Sequence, residues 1–147
     1  MTMPSSSLEK DVIFYVLGTD TAQQREAFIA KLVNKIHQEK RLCDIRFEKE
    51  EEMTRFDLSL WQYKPEAFIP HSVKRTVEAP IQLWADQVVT SCQDVLLNVH
   101  PDFPQNFQLY NRTIEVLDQT EHLIQMGRER WKAYKKEGLE PTIHKIK

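Results

Sequence analysis

Apolar and polar positions alternate along the chain in a way that predicts strands and helices in turn. Val12–Leu17 (VIFYVL) is an unbroken apolar run, the pattern of a strand buried on both faces. Gly18 breaks it. Thr21 and Gln24 have the spacing of a capping box. Behind them Phe28, Ile29, Leu32, Val33 and Ile36 recur at helical spacing, so a helix is predicted to about Glu39. Leu42–Phe47 reads as the next buried strand. The acidic cluster Glu48 to Glu52 opens a second helix, where negative charge meets the positive end of the helix dipole. Met53, Phe56 and Leu60 mark its buried side.

Pro65 and Pro70 bound a short extended piece, Ala67–Ile69. Ile81–Trp84, Val95–Val99 and Thr113–Val116 are further strands. Asp118 and Glu121 fit the cap and third position of a last helix running to about Glu137, which Gly138 ends. Leu139 to Lys147 reads as a tail or loosely docked extension, and Met1 to Lys10 as a flexible N-terminus. The order implies a single α/β domain over residues 1–147: a three-layer, mostly parallel twisted sheet with helices on both faces, Rossmann-like.

Composition narrows what such a domain does. The chain has 147 residues with a net charge of −2, so no global field favours nucleic acid. Its two cysteines, Cys43 and Cys92, make neither a disulfide framework nor a CxxC motif, and a reducing cytoplasm is the simplest setting. No apolar run reaches membrane-spanning length, and the serine-rich start has no signal core.

Nucleotide binding, common on this scaffold, is disfavoured. The chain has only three glycines, and Gly18-Thr19-Asp20-Thr21 puts a carboxylate where a phosphate would sit. The five histidines form no HxxxH or HExxH pattern, and no serine lies in a GxSxG context. His100-Pro101-Asp102 reads as a loop after a strand, and His71 as a turn residue. No catalytic constellation, metal site or cofactor is expected.

The last helix carries more information. Projected at about 100° per residue, Leu123, Met126, Ala133 and Tyr134 gather on one side with Gly127 between them. Ile124, Arg128, Trp131 and Lys135 form a second stripe, with Lys132 beside it. Tryptophan and arginine are enriched in binding hot spots, and arginine grips a carboxylate with two hydrogen bonds. The same run is also that of a solvated helix end serving the dipole, and periodicity does not decide between the two. A direct single-stranded nucleic-acid contact through Arg128, Arg130, Lys132, Lys135 and Lys136 is the alternative function.

Three segments, in this order, resemble one family. They are Phe14-Tyr15-Val16-Leu17, then Leu58-Ser59-Leu60-Trp61 with Phe68-Ile69-Pro70-His71, then Arg128-Glu129-Arg130-Trp131-Lys132-Ala133-Tyr134. The chain is similar in these, and in length, to the chi subunit family of bacterial DNA polymerase III. That resemblance implies a non-catalytic adaptor of the clamp-loader complex on a Rossmann-like fold. It implies two separate partner surfaces. One, including Trp61 and Phe68, would bind the psi subunit. The other would bind the acidic C-terminal tail of single-stranded DNA-binding protein, which ends in phenylalanine. Arg128 would hold the terminal carboxylate. Trp131 and Leu117 would wall the phenylalanine pocket, and Lys132 and Lys135 would attract the upstream aspartates. Ile124 stands where a relative has a basic residue. DNA would be reached only indirectly.

Overall fold

The computed structural model describes residues 10–63 and 68–146. The elements are β1 (Asp11–Leu17), α1 (Ala22–Gln38), β2 (Cys43–Phe47), α2 (Glu50–Trp61), β3 (His71–Val73), β4 (Ile81–Ala85), β5 (Val95–Asn98), β6 (Arg112–Leu117), α3 (Glu121–Lys136) and β7 (Thr142–Ile146). The seven strands form one sheet in the order β3-β4-β2-β5-β6-β1-β7. Every pairing is parallel. The α/β, Rossmann-like reading therefore holds, with a sheet parallel throughout its described strands.

Alternation along β1 sorts the core into two layers. Ile13 and Leu17 pack with Ile29, Leu32, Val33, Met53, Phe56 and Leu60 from α1 and α2. Val12 and Phe14 face the other way, onto Leu117, Phe107 and Tyr134, beneath α3. A strand with apolar side chains on both faces suits a sheet covered on both sides.

Capping follows the sequence at α1: Thr21 is extended, and its hydroxyl accepts from the Gln24 backbone N–H at 3.1 Å. At α3 the cap moves two residues. Thr120 is the N-cap, and Asp118 instead accepts from the Thr120 N–H and hydroxyl at 3.0 and 2.7 Å, turning the chain out of β6. Gly138, at φ 88°, ends α3 in the left-handed region, as expected.

Two segments differ from expectation. A short strand, His71–Val73, follows the expected extended piece, and its pairing starts just after Pro70, which has no N–H to give to a ladder. Ala67 itself, like the expected flexible residues 1–9, lies outside the described residues. The expected tail is the second difference. Residues 142–146 form an edge strand, with Ile13 opposite Thr142 and Leu17 opposite Ile146. The segment is mostly exposed, so it lacks the apolar run by which the buried strands announce themselves.

Candidate functional site: a cationic groove between α3 and β7

The end of β1, where a fold of this class often receives a nucleotide, is occupied by the chain itself. The Gly18 N–H donates to the Ile146 carbonyl at 2.9 Å, and the Gln119 side-chain amide donates to the Leu17 carbonyl at 2.9 Å. No group of three or more His, Cys, Asp or Glu among the described residues is placed to hold a metal ion. No helix there is long and apolar enough to cross a membrane.

Below α3 lies a buried polar cluster that fixes the helix on the sheet. Arg130 is 4% exposed and Glu115 1%. Arg130 Nη1 donates to both Glu115 oxygens at 2.9 Å, and its Nη2 donates to the Pro101 carbonyl. The Tyr134 hydroxyl and the Asn98 amide also donate to Glu115, at 2.7 and 3.3 Å. Burial pushes the Glu115 carboxyl above the usual carboxylate range, against the pull of Arg130. Arg130 is therefore structural, which removes it from the basic surface expected for nucleic acid.

Two positions earlier on the helix, Arg128 points outward. It lines a groove of about 650 Å³ together with Phe14, Val16, Leu117, Ile124, Trp131 and Lys132. Ile143 and Lys145 of β7 complete the lining. Trp131 is half-buried and meets the Phe14 ring edge-on, centroids 5.7 Å apart. Gly127 makes room for this wall: a Cβ there would stand 2.5 Å from Leu117 Cδ1. The groove's surface is mostly apolar, yet Arg128, Lys132 and Lys145 have no acidic partner among the described residues. Its carboxylate, Asp118, is buried and hydrogen-bonded to Thr120. An apolar slot rimmed by three unneutralised cations can take an aromatic side chain and a carboxylate together.

Of the expected residues, Leu117, Ile124, Arg128, Trp131 and Lys132 come together here. Lys135 does not; its ammonium lies 3.2 Å from Glu140. Ile143 and Lys145 were not anticipated. Their signal was a two-residue alternation in a run too short and polar to read as a strand.

Another depression, about 570 Å³, lies beside Trp84 and Val89. Its cations, Lys74 and Arg75, are already paired with Glu50 and Glu78, so it offers no free cation to an acidic ligand.

Trp61 and Phe68 sit elsewhere, near the β3 edge. They are 56% and 65% exposed, and their rings are 5.8 Å apart. Leu58, also exposed, lies one turn before Trp61 on α2. His71 supports Trp61 from below at 4.7 Å, and its Nε2 lies 2.9 Å from Asp57. The groove and this aromatic pair thus lie toward opposite edges of a seven-stranded sheet. Six spacings of about 4.8 Å put those edges roughly 29 Å apart.

The family model described as "DNA polymerase III chi subunit, HolC" matches residues 10–142. The chain belongs to this family. Among its relatives, DNA polymerase III subunit chi of Escherichia coli (strain K12) is 28% identical over 139 residues, covering 88% of this chain and 94% of that protein. The subunit chi of Pseudomonas aeruginosa is 24% identical over 136 residues, covering 92% and 96%. The family match includes all of β1 and α3 and the Trp61–Phe68 pair, and ends at Thr142, before Ile143 and Lys145 of the groove. A chi-family chain is a component of DNA polymerase III, and the groove and the aromatic pair are its two candidate contact surfaces.

Proposed function

We propose that this chain is a non-catalytic adaptor that joins the clamp loader to single-stranded DNA-binding protein. The psi subunit would dock on the exposed Trp61–Phe68 pair. The acidic C-terminal tail of single-stranded DNA-binding protein would enter the groove between α3 and β7. The observation that carries the reading is the coincidence of an apolar slot with three unpaired cations. Arg128 takes the terminal carboxylate, Trp131 and Leu117 flank the terminal aromatic ring, and Ile124 extends the apolar wall. An isoleucine there exchanges a rim charge for pocket depth, so affinity depends less on salt than it would with a basic residue.

Such a contact is modest when single. It strengthens when many tails are presented on one DNA-bound oligomer, because each rebinding is then local. DNA is reached through the partner. The basic surface left for direct contact has lost Arg130 to the interior and Lys135 to Glu140.

The test is fluorescence anisotropy with a labelled peptide carrying an acidic stretch and a C-terminal Pro-Phe. Arg128→Ala is expected to weaken binding at least about thirtyfold, the loss of one charge-assisted bidentate contact. Amidation of the peptide's C-terminus should cost as much for the parent and little more for Arg128→Ala. Equal affinity of parent and Arg128→Ala would remove the carboxylate role.

A further inference from the structure

The groove's free charge is not where α3 alone would put it. Toward the C-terminal end of the helix, Lys135 is paired with Glu140, and Glu137 is exposed beside them. An acidic chain leaving the groove in that direction meets the Glu137 and Glu140 carboxylates and the neutralised Lys135, while the exposed Lys136 beside them lies outside the groove lining. Toward β7 the situation is reversed. Lys145 lines the groove without a partner, and Lys132 faces it from α3. Ile143, two residues before Lys145 and on the same face of the strand, is 47% exposed and offers apolar contact between the charges. β7 is also an edge strand among the described residues, so half of its backbone groups face away from β1, toward where an extended chain could pair.

We propose that the acidic residues preceding the terminal aromatic of the bound peptide lie along β7, against Lys145, and not along the end of α3 against Lys135. This inference rests on the reading of the groove as the receptor for such a peptide. It makes β7 half of the receptor and Lys145 the residue that selects acidic sequences. Arg128 recognises only the terminus. Lys145 reads what comes before it.

The experiment is a double-mutant cycle between protein and peptide. Two labelled peptides end in Pro-Phe; one keeps its aspartates and the other has asparagines in their place. They are titrated against the parent, Lys145→Glu, Lys135→Glu and Lys31→Glu. Lys31 is an exposed control on α1, across the sheet from the groove, and carries the same change of net charge. Lys145→Glu is expected to weaken the aspartate peptide about tenfold and the asparagine peptide by no more than about twofold. Lys135→Glu and Lys31→Glu should each cost less than about threefold with either peptide. The orientation is overturned if Lys145→Glu behaves like the Lys31→Glu control, if Lys135→Glu costs as much as Lys145→Glu, or if both peptides lose equally. Failure of the parent to bind either peptide is a different result: the groove is then no peptide receptor, and the orientation falls with it. Lys145 is exposed, so the variant is expected to fold, and matching urea midpoints with the parent would verify that.

Discussion

Replacing Arg130 with methionine should be among the most damaging single changes in α3, although Arg130 lies in what reads as a basic surface motif. The side chain supplies two of the four hydrogen bonds recorded on the Glu115 carboxylate and caps the Pro101 carbonyl as well. Methionine fills much of the volume but leaves a buried anion with only Tyr134 and Asn98. Breaking a buried pair from one side costs about 3–5 kcal/mol. The two surviving donors argue for the lower half of that range, about 3–4 kcal/mol. With a urea slope of about 1.5–2 kcal/mol per molar, the midpoint should fall by about 2 M.

The pH dependence has a definite sign. Burial already raises the Glu115 pKa above its unfolded value, and losing Arg130 raises it further. The folded variant is then the better proton binder, so its deficit is full above the raised folded pKa. It shrinks as pH falls toward the unfolded carboxyl value of about 4.3. Adding Glu115→Gln removes the charge and should recover about 2 kcal/mol at pH 8. Urea melts of parent, single and double variants at pH 8 and 5.5 measure all of this. A loss under about 1 kcal/mol for Arg130→Met, or no recovery in the double variant, would refute the assignment of a buried charge pair.

Trp61→Ala with Phe68→Ala should leave the unfolding free energy within about 1 kcal/mol of the parent, because both rings are largely exposed. The same pair should leave peptide binding at the α3–β7 groove unchanged while abolishing co-elution with the psi subunit on size exclusion. Cys92 should alkylate slowly in the native protein. Burial and the nearby Asp44 push its thiol up to about 12. That leaves roughly one thiolate in ten thousand at pH 8, and iodoacetamide labelling followed by mass spectrometry should show a large acceleration in urea.

The buried elements were legible because their chemistry is periodic. β1 is a continuous apolar run after Asp11, β2 sets Cys43, Ile45 and Phe47 in alternation with Asp44 and Arg46, and α1 carries its cap and its stripe in one window. Arg128 and Arg130 were not separable by composition. Two residues on a helix turn through about 200°, so one faces the groove and the other the sheet. What marks Arg130 as interior is Glu115, fifteen positions away on another element. β7 was missed for the opposite reason: an edge strand with one partner and an exposed face has no need of apolar residues. Lys135 was assigned to the groove by its angle on the helix, but Glu140, just past the helix end, takes it away.

The strand order has a consequence for how the protein is made. β1 is the first described strand, yet both its neighbours come late: Asp11 lies opposite Arg112, 101 positions on, and Ile13 lies opposite Thr142. During synthesis an apolar ribbon therefore waits with two open edges until β6 and β7 emerge. Such long-range closure is slow and leaves the nascent chain prone to association. The groove inherits the same timing, since Phe14, Leu117, Trp131 and Lys145 line it together. A half-made chain therefore cannot engage a peptide, and recognition begins only once the sheet has closed.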